Sequence, residues 1–167
     1  KASSGLRVQR PSDDPIAASV IASIDHKLER DGQRDRNMSH ASAVMNNLDT
    51  SLGEIGDLVR NAKTIALEQV QSTADEGTRA EMANVIQQQI TQLTGILNRD
   101  FAGLHYFAGA ATGGAPIESF HNGYRYTGTR EGLYTDLGPE LDFPITMAAD
   151  DAIGALSSRV EGVVDLN

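Results

Sequence analysis

The sequence predicts an α+β protein, mainly α. It reads as an elongated antiparallel helical rod, one very long helix plus a shorter one, carrying a small β-hairpin-rich lobe. Three observations predict this. No proline occurs between Pro15 and Pro116, and the first part of that interval is rich in Ala, Gln, Leu and Ile. All Phe and Tyr residues lie between Phe101 and Phe143. Glycine becomes denser beyond the same boundary. The chain therefore divides into a connector at 1–14, a helical rod at 15–100 and a β-rich outer lobe at 101–167.

The connector is turn-rich. Ser3-Ser4-Gly5 is flexible, and Pro11 biases Arg10 towards extended geometry. Asp14 stands as an N-cap with Pro15 as first helical residue, and Asp13 adds negative charge beside the positive helix end. From Pro15 to roughly Thr73 the apolar pattern is helical in two sections. Ala17, Ile21, Ile24 and Leu28 form the first. Met38, Ala41, Met45, Leu48, Leu52, Ile55, Val59, Ala62 and Ala66 form a sustained heptad seam in the second. The phase slips around Asp31-Gly32, which predicts a continuous helix with a local change of winding rather than a break. Some 58 helical residues would span on the order of 87 Å. A chain this small cannot bury such a helix in a sphere, so the shape is a rod.

Ser72 to Gly77 form the turn, and Thr78-Arg79-Ala80-Glu81 reads as a capping box in which Thr78 and Glu81 satisfy each other's amides. The second helix runs to about Asn98. It buries Met82, Ile86, Ile90, Leu93 and Leu97, with Val85 and Ile96 widening the stripe, against the C-terminal half of the first helix. It is too short to cover the section from Ile16 to Leu28. Ile16, Val20, Ile24 and Leu28 are therefore candidate interface residues, awaiting another segment or subunit.

Beyond Phe101 the pattern becomes β. Asn122-Gly123, between Ser119-Phe120-His121 and Tyr124-Arg125-Tyr126, is a two-residue hairpin signal. Leu133 to Leu137 and Leu141 to Met147, parted by Gly138-Pro139, read as a second pair. Gly109 to Gly114 reads as a flexible link. Asp150 to Leu156 suggests one or two helical turns, and Val160 to Val164 a short strand.

The formal net charge is −9, concentrated in the lobe, where three Arg face nine Asp and Glu. Such a surface repels phosphate backbones and anionic headgroups, so neither nucleic acid nor membrane is an expected partner. Lys27, Arg30, Arg34 and Arg36 are interleaved with Asp25, Glu29, Asp31 and Asp35, as on a solvated helix face. There is no cysteine, and no signal-peptide pattern or apolar run of transmembrane length.

No constellation of catalytic residues emerges. His26, His40, His105 and His121 lack metal-ligand spacing, so no metal or cofactor is expected. Asp13-Asp14 is explained by capping, and Asp150-Asp151 has no nucleophile or phosphate loop nearby in sequence. Gln87-Gln88-Gln89 suits either a polar interface or an exposed face. Tyr124, Tyr126 and Tyr134 suit either recognition or cross-strand packing.

The segment Ser3 to Pro15, with its Arg10-Pro11-Ser12-Asp13-Asp14-Pro15 core, resembles the connector of the flagellin family between terminal helix and rod helix. Tyr106-Phe107-Ala108-Gly109, followed by Ala115-Pro116-Ile117 and the hairpin at Asn122-Gly123, is similar to the hook-associated members of that family. Bulk flagellins usually carry Asn-Gly after the aromatic where this chain has Ala-Gly. The resemblance covers Ser3 to about Thr127 and implies a structural, non-enzymatic subunit of the bacterial flagellum. It would adapt hook to filament at their junction, outside the cell, after export without a cleaved signal peptide. The implied partners are copies of itself in a ring, the first hook-associated protein, flagellin, and the export apparatus with its chaperone. Arg10 to Pro15 would then set the angle between terminal helix and rod. Starting at Lys1, the chain reads as a fragment lacking the family's terminal helices. The alternatives are a bulk flagellin, a helical adaptor unrelated to flagella, or a small acidic enzyme domain using Asp150-Asp151.

Overall fold

A computed structural model describes residues 14–71, 75–121, 123–138 and 141–153. The residues of the connector before Asp14, the expected strand at Val160 to Val164 and Asn122 lie outside the described residues.

Helix α1 runs unbroken from Pro15 to Gln71, 57 residues, about 85 Å. The Asp14 carboxylate accepts the Ala17 amide at 3.0 Å, and its carbonyl accepts the Ala18 amide at 2.9 Å. Gly32 lies inside the helix without breaking it. Helix α2, Glu76–Leu97, returns antiparallel along the C-terminal half of α1, with Leu58, Val59 and Ala62 facing Ile86, Ile90 and Leu93.

The buried stripe of α1 is rotated by one residue from the predicted seam. Ala41, Leu48, Ile55 and Ala62 point inward in both. Val44, Ser51, Leu58 and Ile65 then take the alternate positions in place of Met45, Val59 and Ala66, while Leu52 stays half-buried against the core. Two heptad rows lie side by side on this helix, one apolar throughout and one apolar but for Ser51, so the heptad period alone does not choose between them. The lobe and α2 choose. Met38, Met45 and Val59 remain exposed, and on α2 Ile90 flanks the core rather than joining it.

The capping box predicted at Thr78 and Glu81 does not form. The helix begins earlier, at Glu76, because Asp75 caps it: its Oδ1 accepts the Thr78 amide at 2.8 Å. Aspartate caps at least as well as threonine, so Thr78 becomes an ordinary first-turn residue and Glu81 falls in the second turn. That hydrogen bond holds the Asp75 carboxyl below the usual carboxylate range. A carboxyl with a lower pKa folded than unfolded stabilises the fold above its unfolded pKa, and loses that contribution as pH falls through the folded one. Asp75→Asn keeps the cap and removes the titration. Its melting temperature is expected to fall less than that of the parent protein between about pH 5 and pH 2, as thermal melts across that range would show.

Among the described residues, six short strands build the lobe. β1 (Asp100–Phe101) pairs with β2 (Leu104–His105) around Ala102 and Gly103, both with positive φ (52° and 82°), the conformation of a type I′ turn. This hairpin is absent from the sequence reading, since two-residue strands carry no periodicity. β3 (Ile117–Phe120) pairs with β4 (Gly123–Tyr126), and β5 (Tyr134–Asp136) with β6 (Asp142–Pro144). α3 (Ala149–Ile153) closes the described chain.

The turn between β3 and β4 is shifted by one residue from the Asn122-Gly123 prediction. Phe120 pairs with Gly123, which places Gly123 in β4 rather than in the turn. His121 takes the left-handed conformation, φ 51°. Gly123 is thus a strand residue, paired with Phe120 across the hairpin.

Nor does Gly109 begin a flexible link. It is buried with φ 63°. Its amide donates to the Met147 carbonyl at 3.1 Å, and its carbonyl accepts the Thr146 hydroxyl at 2.8 Å. A single core joins the parts: Val44 and Ile55 of α1, Ile96 and Leu97 of α2, Tyr106 and Phe107 of the lobe, and Ala149 of α3.

Candidate assembly surface

The residues expected to meet another segment lie at the start of α1. Asp14 caps the helix and Pro15 opens it; Arg10, Pro11, Ser12 and Asp13 fall outside the described residues. Ile16, Val20, Ile21, Ile24 and Leu28 are all exposed, from 48% at Ile21 to 79% at Ile16. Single exposed aliphatics are ordinary, but five on four successive turns form a contiguous apolar strip. A four-residue spacing advances about 40° per turn, so the strip winds around the helix. Covering each side chain is worth on the order of 1–2 kcal/mol. Among the described residues nothing covers it, because α2 and the lobe both dock further along.

Three polar ties join the lobe to α1, beside the apolar core they share. Ser51 and the Tyr106 hydroxyl hydrogen-bond at 2.9 Å in the core. Arg99 forms an ion pair with Glu54 at 2.7 Å, which holds the Glu54 carboxyl below its usual range, chiefly through that hydrogen bond. Asn37 donates to the Asp136 carbonyl at 2.9 Å, while Arg34 lies 3.5 Å from the Asp136 carboxylate.

The sequence motif Tyr106-Phe107-Ala108-Gly109 is wholly buried, so it builds the lobe rather than presenting a surface. Its edges are stapled by the Met147 amide on the Tyr106 carbonyl at 2.9 Å and the Thr129 amide on the Ala108 carbonyl at 3.0 Å. Pro116 is buried beside it, while Gly123 is exposed in β4. Of the three tyrosines singled out by sequence, Tyr126 packs inward. Its hydroxyl donates to the Thr129 carbonyl at 2.9 Å, and burial pushes its pKa up. Tyr124 and Tyr134 remain exposed.

Sequence reasoning missed Asn98. Its side chain donates to the Ile117 carbonyl and accepts the Ile117 amide, both at 2.8 Å, welding the end of α2 to β3. An asparagine at a helix C-terminus was the available signal. The fold also brings Arg130 to 3.3 Å from Asp150, a basic neighbour that sequence spacing did not reveal. His105 bonds the Asn98 carbonyl at 3.0 Å, and His40 lies against Phe101. Among the described residues no group of three or more His, Asp or Glu could hold a metal ion, and no helix is long and apolar enough to cross a membrane.

The sequence matches the family model of the bacterial flagellin N-terminal helical region over residues 1–112. The chain belongs to the flagellin family. Over 158 residues this flagellin-family chain is 27% identical to flagellar hook-associated protein 3 of Escherichia coli K12, covering 94% of itself and 49% of that protein. It thus spans about half the length of that relative. Its fold is similar to that of FlgL from Xanthomonas campestris, with a TM-score of 0.70 at 17% identity over 75% of this chain and 41% of the other. It is also similar to the flagellar junction protein FlgL of Legionella pneumophila, with a TM-score of 0.55 at 20% identity over 82% and 42%.

Proposed function

We propose that this flagellin-family chain is the rod and outer lobe of a structural subunit at the hook–filament junction of the bacterial flagellum. The observation that carries the reading is the alignment with hook-associated protein 3 across nearly the whole chain, from connector through lobe. In this reading residues 1–14 are the connector, 15–100 the rod and 101–167 the outer lobe. The strip from Ile16 to Leu28 is an assembly contact. The subunit lies outside the cell, reached by flagellar export without a cleaved signal peptide and with the help of a chaperone. Its neighbours are further copies in a ring, the first hook-associated protein and flagellin, and it performs no catalysis. Repeated weak contacts in such a tubular assembly gain strength through multivalency.

Immunogold labelling of intact flagella with an antibody against residues 101–167 tests this. A single narrow band where hook meets filament is the expected result. Gold along the whole filament would instead assign a bulk flagellin, and no gold on flagella that retain their hooks would reject a flagellar role. Ile24→Glu, on the exposed strip, separates assembly from folding. Its melting temperature should stay within a few degrees of the parent's, as for other surface changes, while the junction band disappears from cells carrying it. A retained band would remove the strip from the interface.

A further inference from the structure

We propose that the buried Ser51–Tyr106 pair is a registry pin, which sets the axial position of the lobe on α1. The inward stripe of α1 reads Ala41, Val44, Leu48, Ser51, Ile55, Leu58, Ala62 and Ile65. Ser51 is its one polar member. The stripe repeats every seven residues, so apolar packing at one heptad resembles packing at the next, about 10 Å along the helix. Hydrophobicity by itself therefore discriminates poorly between neighbouring positions.

The hydroxyl pair does discriminate. Ser51 is 1% exposed and Tyr106 2%, with their oxygens 2.9 Å apart. One heptad away in either direction stand Val44 and Leu58, which offer no hydrogen-bond partner. The Tyr106 hydroxyl would then be buried and unpaired, which is costly. Tyr106 is itself fixed within the lobe by the Met147 amide on its carbonyl, so the whole lobe follows its hydroxyl. The other two ties are partly exposed: Arg99 with Glu54, and Arg34 and Asn37 with Asp136. Exposed ion pairs of this kind contribute little. A lone polar residue in an otherwise apolar heptad seam selects register in coiled coils in the same way. The inference does not depend on the flagellar role.

The chain has no cysteine, so spin labels can be placed on Asn46→Cys and Ser119→Cys, both exposed, and the distance between them measured by electron paramagnetic resonance. The labelled parent should give one narrow distance, and so should Ser51→Thr, which keeps a hydroxyl. Ser51→Ala combined with Tyr106→Phe removes both hydroxyls, a change that can be nearly neutral for stability. This double variant should melt cooperatively within a few degrees of the parent and yet show a second distance population, the lobe and the α2 end tied to it by Asn98 having moved together by about one heptad, roughly 10 Å. A single unchanged distance in the double variant would overturn the proposal, because the other contacts would then set the register. Loss of cooperative melting would overturn it too, because the pair would be supplying stability rather than selecting position.

Discussion

Replacing Gly109 with alanine is expected to disrupt the lobe. At φ 63° the backbone is in the left-handed region, where a side chain costs about 1 kcal/mol or more. The added Cβ would also collide with the Thr129 carbonyl, and would lie 2.6 Å from the Thr129 hydroxyl and 2.7 Å from the Glu131 carbonyl. These are not loose side-chain ends. Thr129 is held by its amide on the Ala108 carbonyl, by its hydroxyl accepting the Ala110 amide at 2.7 Å and by the Tyr126 hydroxyl on its carbonyl. Relief therefore requires the 127–131 loop to leave the Tyr106–Gly109 segment. Strain and overpacking together should cost at least about 3 kcal/mol, lowering the melting temperature by about 6–12 °C for a protein of this size. Near-ultraviolet circular dichroism follows the tyrosines of the lobe and should report the loss. An alanine variant with the parent's melting curve would show that this close approach does not constrain the fold.

Phe107→Ala should cost still more. The Phe107 ring is fully buried, 5.0 Å from the Tyr106 ring, in the core that joins α1, α2 and α3 to the lobe. Truncating such a residue typically costs about 3–5 kcal/mol, from lost transfer energy plus the cavity left behind. The melting temperature should drop by about 6–20 °C. The same core cluster serves helices and lobe, so near- and far-ultraviolet signals should shift together in one transition. A variant that loses only its near-ultraviolet signal, with helix melting unchanged, would mean that rod and lobe unfold separately. Phe107→Leu refills much of the volume and should recover most of the loss.

The long helix was legible because its signals are local: Asp14 and Pro15 at the start, and no proline for the rest of its length. The two larger hairpins were legible from aromatic-rich runs parted by glycine. Details failed where two local signals competed. Thr78 with Glu81 satisfies a capping pattern, yet Asp75 lies upstream and is the better-placed acceptor. Asn122-Gly123 is a strong turn pair, yet the register matches Phe120 with Gly123 and moves the loop back by one residue. Gly109 looked like the start of a flexible run because glycine spacing does not distinguish freedom from close approach. Only the Thr129 carbonyl against it makes that distinction.

By itself the sequence determined a proline-free rod with a helical return, an aromatic lobe and an apolar strip from Ile16 to Leu28 beyond the reach of α2, all consequences of composition and periodicity along one chain. Tertiary structure alone decided which of two parallel apolar rows on α1 faces inward, since both have the same heptad period. It also decided where along that helix the lobe sits. The groups that meet there are distant in sequence, Ser51 with Tyr106 and Asn37 with Asp136, and no local pattern encodes their pairing.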